Sequence, residues 1–173
     1  MPKMLNDANT KLVFVPTIAD YHAPKVSELT GSGVLDLSCI VTAADFTLGS
    51  TGNDDINDPA LCTSTNSSVP GRDNYDAAMN FFRYTTSAED EAWDTFDAKG
   101  IHGYLVRRIG QGEEGEKAFE KDFEAGDEVQ VYEVITGTPQ ILSPGDAGFE
   151  KFKVQFYVQD QVDERATVAS SGA

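Results

Sequence analysis

The sequence predicts a mainly β protein, a sandwich or barrel of antiparallel strands accompanied by one α-helix. Two observations carry that prediction. About seven segments alternate or run apolar in the manner of strands, while only "SAEDEAWDTFDAKG" has the spacing of a helix. No internal repeat is visible, and 173 residues argue for one domain, 1–173. A domain of that length buries roughly 70% of the surface its unfolded chain exposes. It needs no disulfide or metal to fold.

The elements follow in order. Residues 1–9 are polar and read as an N-terminal arm. Thr10–Thr17, "TKLVFVPT", reads as a strand. Pro24–Gly31 suits one or two helical turns, with Pro first and Gly last. Val34–Thr42, "VLDLSCIVT", reads as a strand with Asp36 and Ser38 on one face. Leu48–Asn74 is rich in Gly, Asn, Asp, Ser and Thr and reads as one long loop, 48–74, with "ALCTST" as a weak strand inside it. Such a loop in a compact domain is uncommon and usually functional or mobile.

Tyr75–Thr86 alternates, with Tyr75, Ala77, Met79 and Phe81 on one face and Asp76 and Asn80 on the other. In the helix that follows, Ser87 is the expected cap, with Asp90 three residues on. Glu89, Asp90 and Glu91 fill the first turn, where the helix dipole favours acids. Ala92, Trp93 and Phe96 form its apolar packing stripe, and Lys99 and Gly100 close it. Ile101–Ile109 and Asp127–Thr136 read as strands, separated by a loop at 110–126. "SPGD" (Ser143–Asp146) suits a turn. Glu150–Asp160 is the cleanest strand: Phe152, Val154, Phe156 and Val158 alternate with Lys151, Lys153, Gln155 and Tyr157. Residues 161–173 read as a polar C-terminal tail.

Lys and Arg number 13 against 29 Asp and Glu, a net charge of −16. Such a field repels nucleic acid and anionic membranes and favours solubility. "MPKMLNDANT" lacks the order of a secretory signal, and no apolar run is long enough to span a bilayer. The two cysteines, Cys39 and Cys62, make no disulfide framework. Cys39, inside "VLDLSCIV", reads as a small core residue. A reducing cytoplasm is the expected place of synthesis.

One motif invites an enzymatic reading. Gly110, Gly112 and Gly115 in "RRIGQGEEGEKAFEKDF" fit G-x-G-x-x-G after a strand and before a short helix-like run. The context opposes it. The strand ends in Arg107 and Arg108, although a dinucleotide strand is apolar on both faces. Glu113, Glu114 and Glu116 would repel a pyrophosphate. Glu133 stands at the distance of a ribose-binding acid, but inside the alternating "VQVYEV". A loop is the expected role.

Metal binding has little more support. His22 and His102 lie far apart. "NDDINDP" (Asn53–Pro59) looks cation-friendly, yet Ile56 and Pro59 fall where an EF-hand needs oxygen ligands and glycine, so a calcium ion there stands as the lesser alternative to a polar loop. There is no G-x-S-x-G and no cysteine near a histidine. No catalytic residue, metal or cofactor is expected, and the protein is read as a non-enzyme.

Several segments together carry a resemblance: "PALCTSTNSSVPGRDNYDAAMNFFRY", "WDTFDAKG", "GYLVRRIG", "GDEVQVYEVITGTPQ", a last strand and "VDERATVA". In this order, from about Lys11 to Ala169, the chain resembles the major tail tube proteins of long-tailed bacteriophages. "GQGEEGEKAFEK" looks like a variable loop of that family. Some related chains add an immunoglobulin-like domain, for which this chain stops too early.

The resemblance implies an antiparallel β-sandwich or half-barrel with one flanking helix. It implies six-membered rings that stack into a tube, and a continuous inner barrel through which DNA passes during ejection. The implied partners are other copies of the chain, the tail proteins at the tube ends and the tape measure protein. DNA would occupy the lumen without specific binding, and no membrane is involved. The protein would reside in the virion tail after assembly in the host cytoplasm.

If "VLDLSCIV", "YDAAMNFFRY", "GDEVQVYEV" and "KFKVQFYVQ" build that barrel, alternation places Asp36, Ser38, Asp76, Asn80, Gln130 and Gln155 on the lumen, with Lys153 as the one cation. Leu35, Leu37, Tyr75, Met79, Phe81, Val129, Val131, Val154 and Phe156 then form the core. Gln130 shares its face with Tyr132, while Glu133 falls on the core side. An acidic lumen would not hold DNA by counterion release. The arm, the 48–74 loop and the tail are expected clasps between rings, with Asn53, Asp54, Asp55, Asn57 and Asp58 as candidate contacts. The alternative function is an independent acidic β-sandwich binding module, adhesin-like or a DNA mimic.

Overall fold

The structure is a computed structural model that describes residues 3–110, 117–143, 145 and 148–172. Among them the order of elements is β1 (Thr10–Val15), α1 (Val26–Leu29), β2 (Leu35–Asp36), β3 (Thr47–Ile56), β4 (Val69–Phe82), α2 (Glu91–Thr95), β5 (His102–Ile109), β6 (Glu128–Thr136), β7 (Gln140–Ile141) and β8 (Lys151–Thr167). The strands form one sheet in the order β2-β1-β5-β6-β8-β4-β3, with β7 beside β8. Every pairing between these strands is antiparallel.

The sheet is rolled upon itself. Leu12, Phe14, Leu105, Tyr132 and Val134, from one face of β1, β5 and β6, share a cluster with Ala77, Met79, Phe81, Phe152, Val154 and Phe156 of β4 and β8. Residues 35–48 close the roll. The Leu37 N–H donates to the Leu12 carbonyl at 2.8 Å, and the Phe82 N–H donates to the Ile40 carbonyl at 3.0 Å, so this segment ties β1 to β4. β8 serves both halves because it is long and irregular. Its first part pairs with β4 and its last with β6, and Phe156 has a partner on each side, Ala77 and Thr136. Between Tyr132↔Val162 and Val134↔Val158 the ladder shifts register, and such bulges bend a strand.

On the reverse face, β1, β5 and β6 carry a second apolar set: Val13, Val15, Tyr104, Val106, Val129 and Val131. It is covered by Ile18, Leu29, Phe123 and Val168. Both faces of these strands are therefore buried, which explains why "LVFV" (12–15) is continuously apolar.

Several segments depart from expectation. The strand foreseen at Val34–Thr42 is two residues long, Leu35–Asp36. Ser38 ends it: its N–H donates to Asp36 Oδ1 at 2.9 Å, and its hydroxyl accepts the Leu12 N–H at 3.0 Å, a local alternative to the ladder. Cys39 is exposed rather than a core residue. The 48–74 loop is instead mostly the hairpin β3–β4, joined by residues 57–68. "ALCTST" forms a turn, closed by the Thr63 N–H on the Ala60 carbonyl at 2.8 Å. The outer part of the hairpin leaves the core, so its residues 50–55 and 70–74 carry no alternating apolar face. Polar cross-strand bonds serve instead, among them Asn74 Nδ2 to Asp54 Oδ1 at 2.8 Å and Asn53 to Asp73.

The helix is shorter than expected and starts later. Asp90, not Ser87, holds the N-cap position, without a side-chain cap bond. Its carboxylate accepts Arg83 Nε at 2.7 Å instead. The supposed tail at 161–173 belongs largely to β8, which reaches Thr167. Beyond it, the Val168 and Ala169 N–H groups donate to the Asp127 and Pro24 carbonyls at 2.9 Å each. Of the expected turn "SPGD", Pro144 and Asp146 lie outside the described residues.

Candidate functional site

Among the described residues, no apolar cluster like that on β1, β5 and β6 covers the reverse face of β4 and the first half of β8. Alternation points Asp76, Ala78 and Asn80 away from the core while Ala77, Met79 and Phe81 are fully buried. Asn80 stands opposite Lys153, and Ala78 opposite Gln155. Gln155 Nε2 donates to Asp76 Oδ1 and to the Ala77 carbonyl, both at 3.1 Å. Asn80 Nδ2 donates to Asp45 Oδ2 at 3.1 Å. Asp76, Asn80, Lys153 and Gln155 thus form one polar patch with Asp45, in which two amides, two carboxylates and one ammonium adjoin. Opposed side chains on a ladder share a face, so two strands in register were enough to bring them together.

The other three residues assigned to that face are elsewhere, and this corrects the alternation reading. Asp36 lies opposite Val13, on the side of the second cluster. There its carboxylate pairs with Lys11 Nζ at 3.3 Å. Ser38 is spent on the turn. Gln130 points with Tyr132 to the core side, where its Oε1 accepts Arg107 Nε at 2.6 Å. Tyr132 sets that phase: it is fully buried, and its hydroxyl donates to Glu164 at 2.9 Å. Burial and then this bond push the Tyr132 pKa above its ordinary 10.0. Val129 and Val131 are buried, but in the second cluster rather than the first. Glu133 shares their side at its open edge, accepting Gln161 N–H at 3.1 Å and lying 2.7 Å from His102 Nε2.

Phe96 is fully buried, with ring centroids 5.0, 5.3 and 5.4 Å from those of Phe14, Phe81 and Phe156. Trp93 stands edge-on to Phe152 at 5.0 Å, and Arg83 lies over its ring at 3.8 Å. The helix thereby closes one end of the roll.

Asn53, Asp54 and Asp55 lie in the outer part of β3, and Asn57 and Asp58 in the connection beyond it. All five are exposed. Among the described residues no three His, Cys, Asp or Glu side chains come together as metal ligands. Gly110 follows β5 with φ 81°, while Gly112 and Gly115 lie outside the described residues.

A further opening was not legible beforehand. The β4–β8 ladder ends at Ala77↔Phe156. Beyond it β4 keeps only β3, and β8 keeps only β6. The two strands diverge around a polar cleft lined by Asp73, Asn74, Tyr75, Gln159 and Asp160. Another missed residue is Arg108, fully buried, whose guanidinium bonds Asp127 Oδ2 and the Asp122, Ala118 and Lys121 carbonyls at 2.7–2.8 Å. Its position in phase with Tyr104 and Val106 was the available signal.

A family model described as "Phage tail tube protein" matches residues 1–171. Among solved structures, the chain is similar to one in the 6-fold symmetrised baseplate of the anti-feeding prophage. The TM-score is 0.53 at 9% identity, over 92% of this chain and 95% of that one. It is also similar to the SPP1 tail tube structure, with a TM-score of 0.53 at 12% identity, over 94% of this chain and 82% of that one. At these identities the likeness speaks to fold alone. No curated protein matches the sequence.

Proposed function

We propose that this chain, which belongs to the phage tail tube protein family by its match over residues 1–171, is the repeating subunit of hexameric rings that stack into a tail tube and conduct double-stranded DNA. The observation that carries the lumen assignment is the polar character of the outward face of β4 and β8, where Asp76, Lys153 and Gln155 are half-buried and Asn80 is buried beneath Thr42 and Asp45, set against the apolar-covered reverse face of β1, β5 and β6. Asp76, Asn80, Lys153 and Gln155 line the lumen in this reading. Amides, with Asp45 and Asp76 against the single Lys153, give DNA no cationic stripe to release its counterions to.

Lateral contacts would use the strand edges that β4 and β8 leave open where they diverge. Unpaired edges recruit strands, and a heterologous contact that closes makes a ring. The solved fold neighbours, one in a 6-fold symmetrised assembly and one in a tail tube, support both the ring and the stack. The outer hairpin, with Asn53, Asp54, Asp55, Asn57 and Asp58, reaches toward the next ring. Partners at the tube ends and a tape measure protein complete the virion tail, and assembly takes place in the host cytoplasm. The role requires no catalysis. Negative-stain microscopy of concentrated protein, with a tip complex added as nucleus, tests the proposal: rings or tubes are expected, and a persistent monomer would overturn it.

A further inference from the structure

The β3–β4 hairpin carries complementary features at its two ends. Its outer end is apolar and acidic. Ile56 pairs with Val69 at the last rung, both are more than half exposed, and Leu61 in the connection is fully exposed. From Thr47 to Gly71 there is no Lys or Arg, while Asp54, Asp55 and Asp58 supply negative charge.

At the inner end, just before β3, lies an open groove of about 370 Å³ between residues 37–46 and the ends of β1 and β5. Leu12, Leu37, Val41, Phe46 and Ile109 line it, with Cys39 at its wall. Among the described residues lining it there is no carboxylate, although the chain has 29 Asp and Glu; its one charge is Arg107. That guanidinium donates to the Gln130 amide oxygen and lies 5.9 Å from the Phe46 ring centroid.

The 10 residues of β3 separate groove from tip, a span of roughly 33 Å at ~3.3 Å per residue. A chain cannot therefore fill its own groove. A second copy can, because knob and socket lie at opposite ends of one rod. That contact is heterologous, and where the rotation between copies does not close it, it repeats as an open stack, which is what axial stacking needs.

We infer that the tip around Leu61 seats in the Leu37–Phe46 groove of a copy in the adjacent ring, with its aspartates toward Arg107. This rests on the tube reading above and names the surface each ring offers the next. Two native thiols test it. Cys62 is in the tip and Cys39 in the groove wall, both exposed in the single chain. In assembled tubes a short bismaleimide should join Cys62 of one copy to Cys39 of the next, giving a ladder of dimers, trimers and longer chains in denaturing gels.

Cys39→Ser or Cys62→Ser alone should abolish the ladder. Tubes co-assembled from the two variants should give dimers and nothing longer. Leu61→Asp should leave the monomer's thermal transition unchanged but cut stacking at least tenfold. Tubes visible by microscopy without the Cys39–Cys62 link, or linked Cys62 to Cys62, would overturn the socket while leaving the tube reading intact. If no tubes form, both readings fall.

Discussion

The ring of Phe14 occupies the space that a side chain at position 103 would need. A Cβ built on Gly103 would lie 2.3 Å from Phe14 Cζ and 3.0 Å from the Val15 carbonyl oxygen. Phe14 in turn packs edge-on against Phe96, so the glycine admits the ring that joins the helix to the sheet. Gly103→Ala should destabilise the fold by about 1–3 kcal/mol, the usual cost of overpacking a core. Gly33→Ala is the control, since its Cβ would meet Pro16 at an ordinary 3.5 Å. Urea unfolding of both variants decides the matter. Equal midpoints would refute the argument.

Arg108 and Asp127 form the pair that anchors the segment after the glycine-rich insertion. The guanidinium is fully buried and the acid side chain 9% exposed. Removing the guanidinium takes the ion-pair partner from a buried carboxylate that keeps its Glu124 N–H bond, and strips the Asp122, Ala118 and Lys121 carbonyls of their donor, at a cost of about 3–5 kcal/mol. Arg108→Met should therefore lower the unfolding midpoint sharply. Arg108→Lys should rescue little, because one ammonium cannot reproduce the planar fork that reaches Asp127 and the carbonyls. By contrast, replacing "GQGEEG" with a Gly/Ser linker of equal length should leave folding and assembly intact, and calorimetry should detect no NAD or ATP binding. Micromolar affinity for either nucleotide would restore the dinucleotide reading.

Tyr132 predicts an alkaline limit to stability. Burial, the bond to Glu164 and the Glu164 charge all raise its pKa above 10.0, and burial raises those of Tyr75 and Tyr104. A raised acid holds its proton more tightly when folded. Its contribution is whole below pH 10 and is lost as pH climbs from there toward the folded value. Stability should stay level up to about pH 10 and fall above it. Tyr132→Phe should cost about 1 kcal/mol near neutrality through the lost bond and flatten the alkaline decline. The same alkaline slope in wild type and variant would contradict this.

The polar patch was legible because β4 and β8 keep strict alternation and pair directly, so phase within each strand carried over to the pair. Gln130 was not, because its side depends on where Tyr132 finds room, a decision made by the whole core. Ser38 was lost to a local side-chain bond that ends the strand. The outer part of the β3–β4 hairpin gave no signal because a ladder standing clear of the core needs no alternating apolar face. Its pairing of Asn53 with Asp73 and Asp54 with Asn74 joins positions 20 residues apart. The last third of β8 was hidden in the same way: Gln161, Asp163 and Glu164 look like a tail until β6 is placed beside them.

Asp76 and Asp36, alike in sequence phase, should behave differently when changed to lysine. Asp76 sits on the proposed lumen face and accepts one amide bond from Gln155. Asp76→Lys should shift stability by less than about 1 kcal/mol, as partly exposed charges do. Tubes should still form. The new charge would recur in every subunit as a cationic stripe, so DNA ejection should slow at low salt and recover as salt rises. Asp36 instead neutralises Lys11, whose side chain is only 8% exposed. Asp36→Lys would set two ammonium groups side by side and forfeit a charge-assisted bond, costing about 1.5–3 kcal/mol. Its defect should appear in unfolding and assembly, with normal ejection from any tubes that form. Ejection kinetics of the two variants across a salt series test the assignment. Slowing by Asp36→Lys, or an unchanged rate for Asp76→Lys at low salt, would move the lumen to another face.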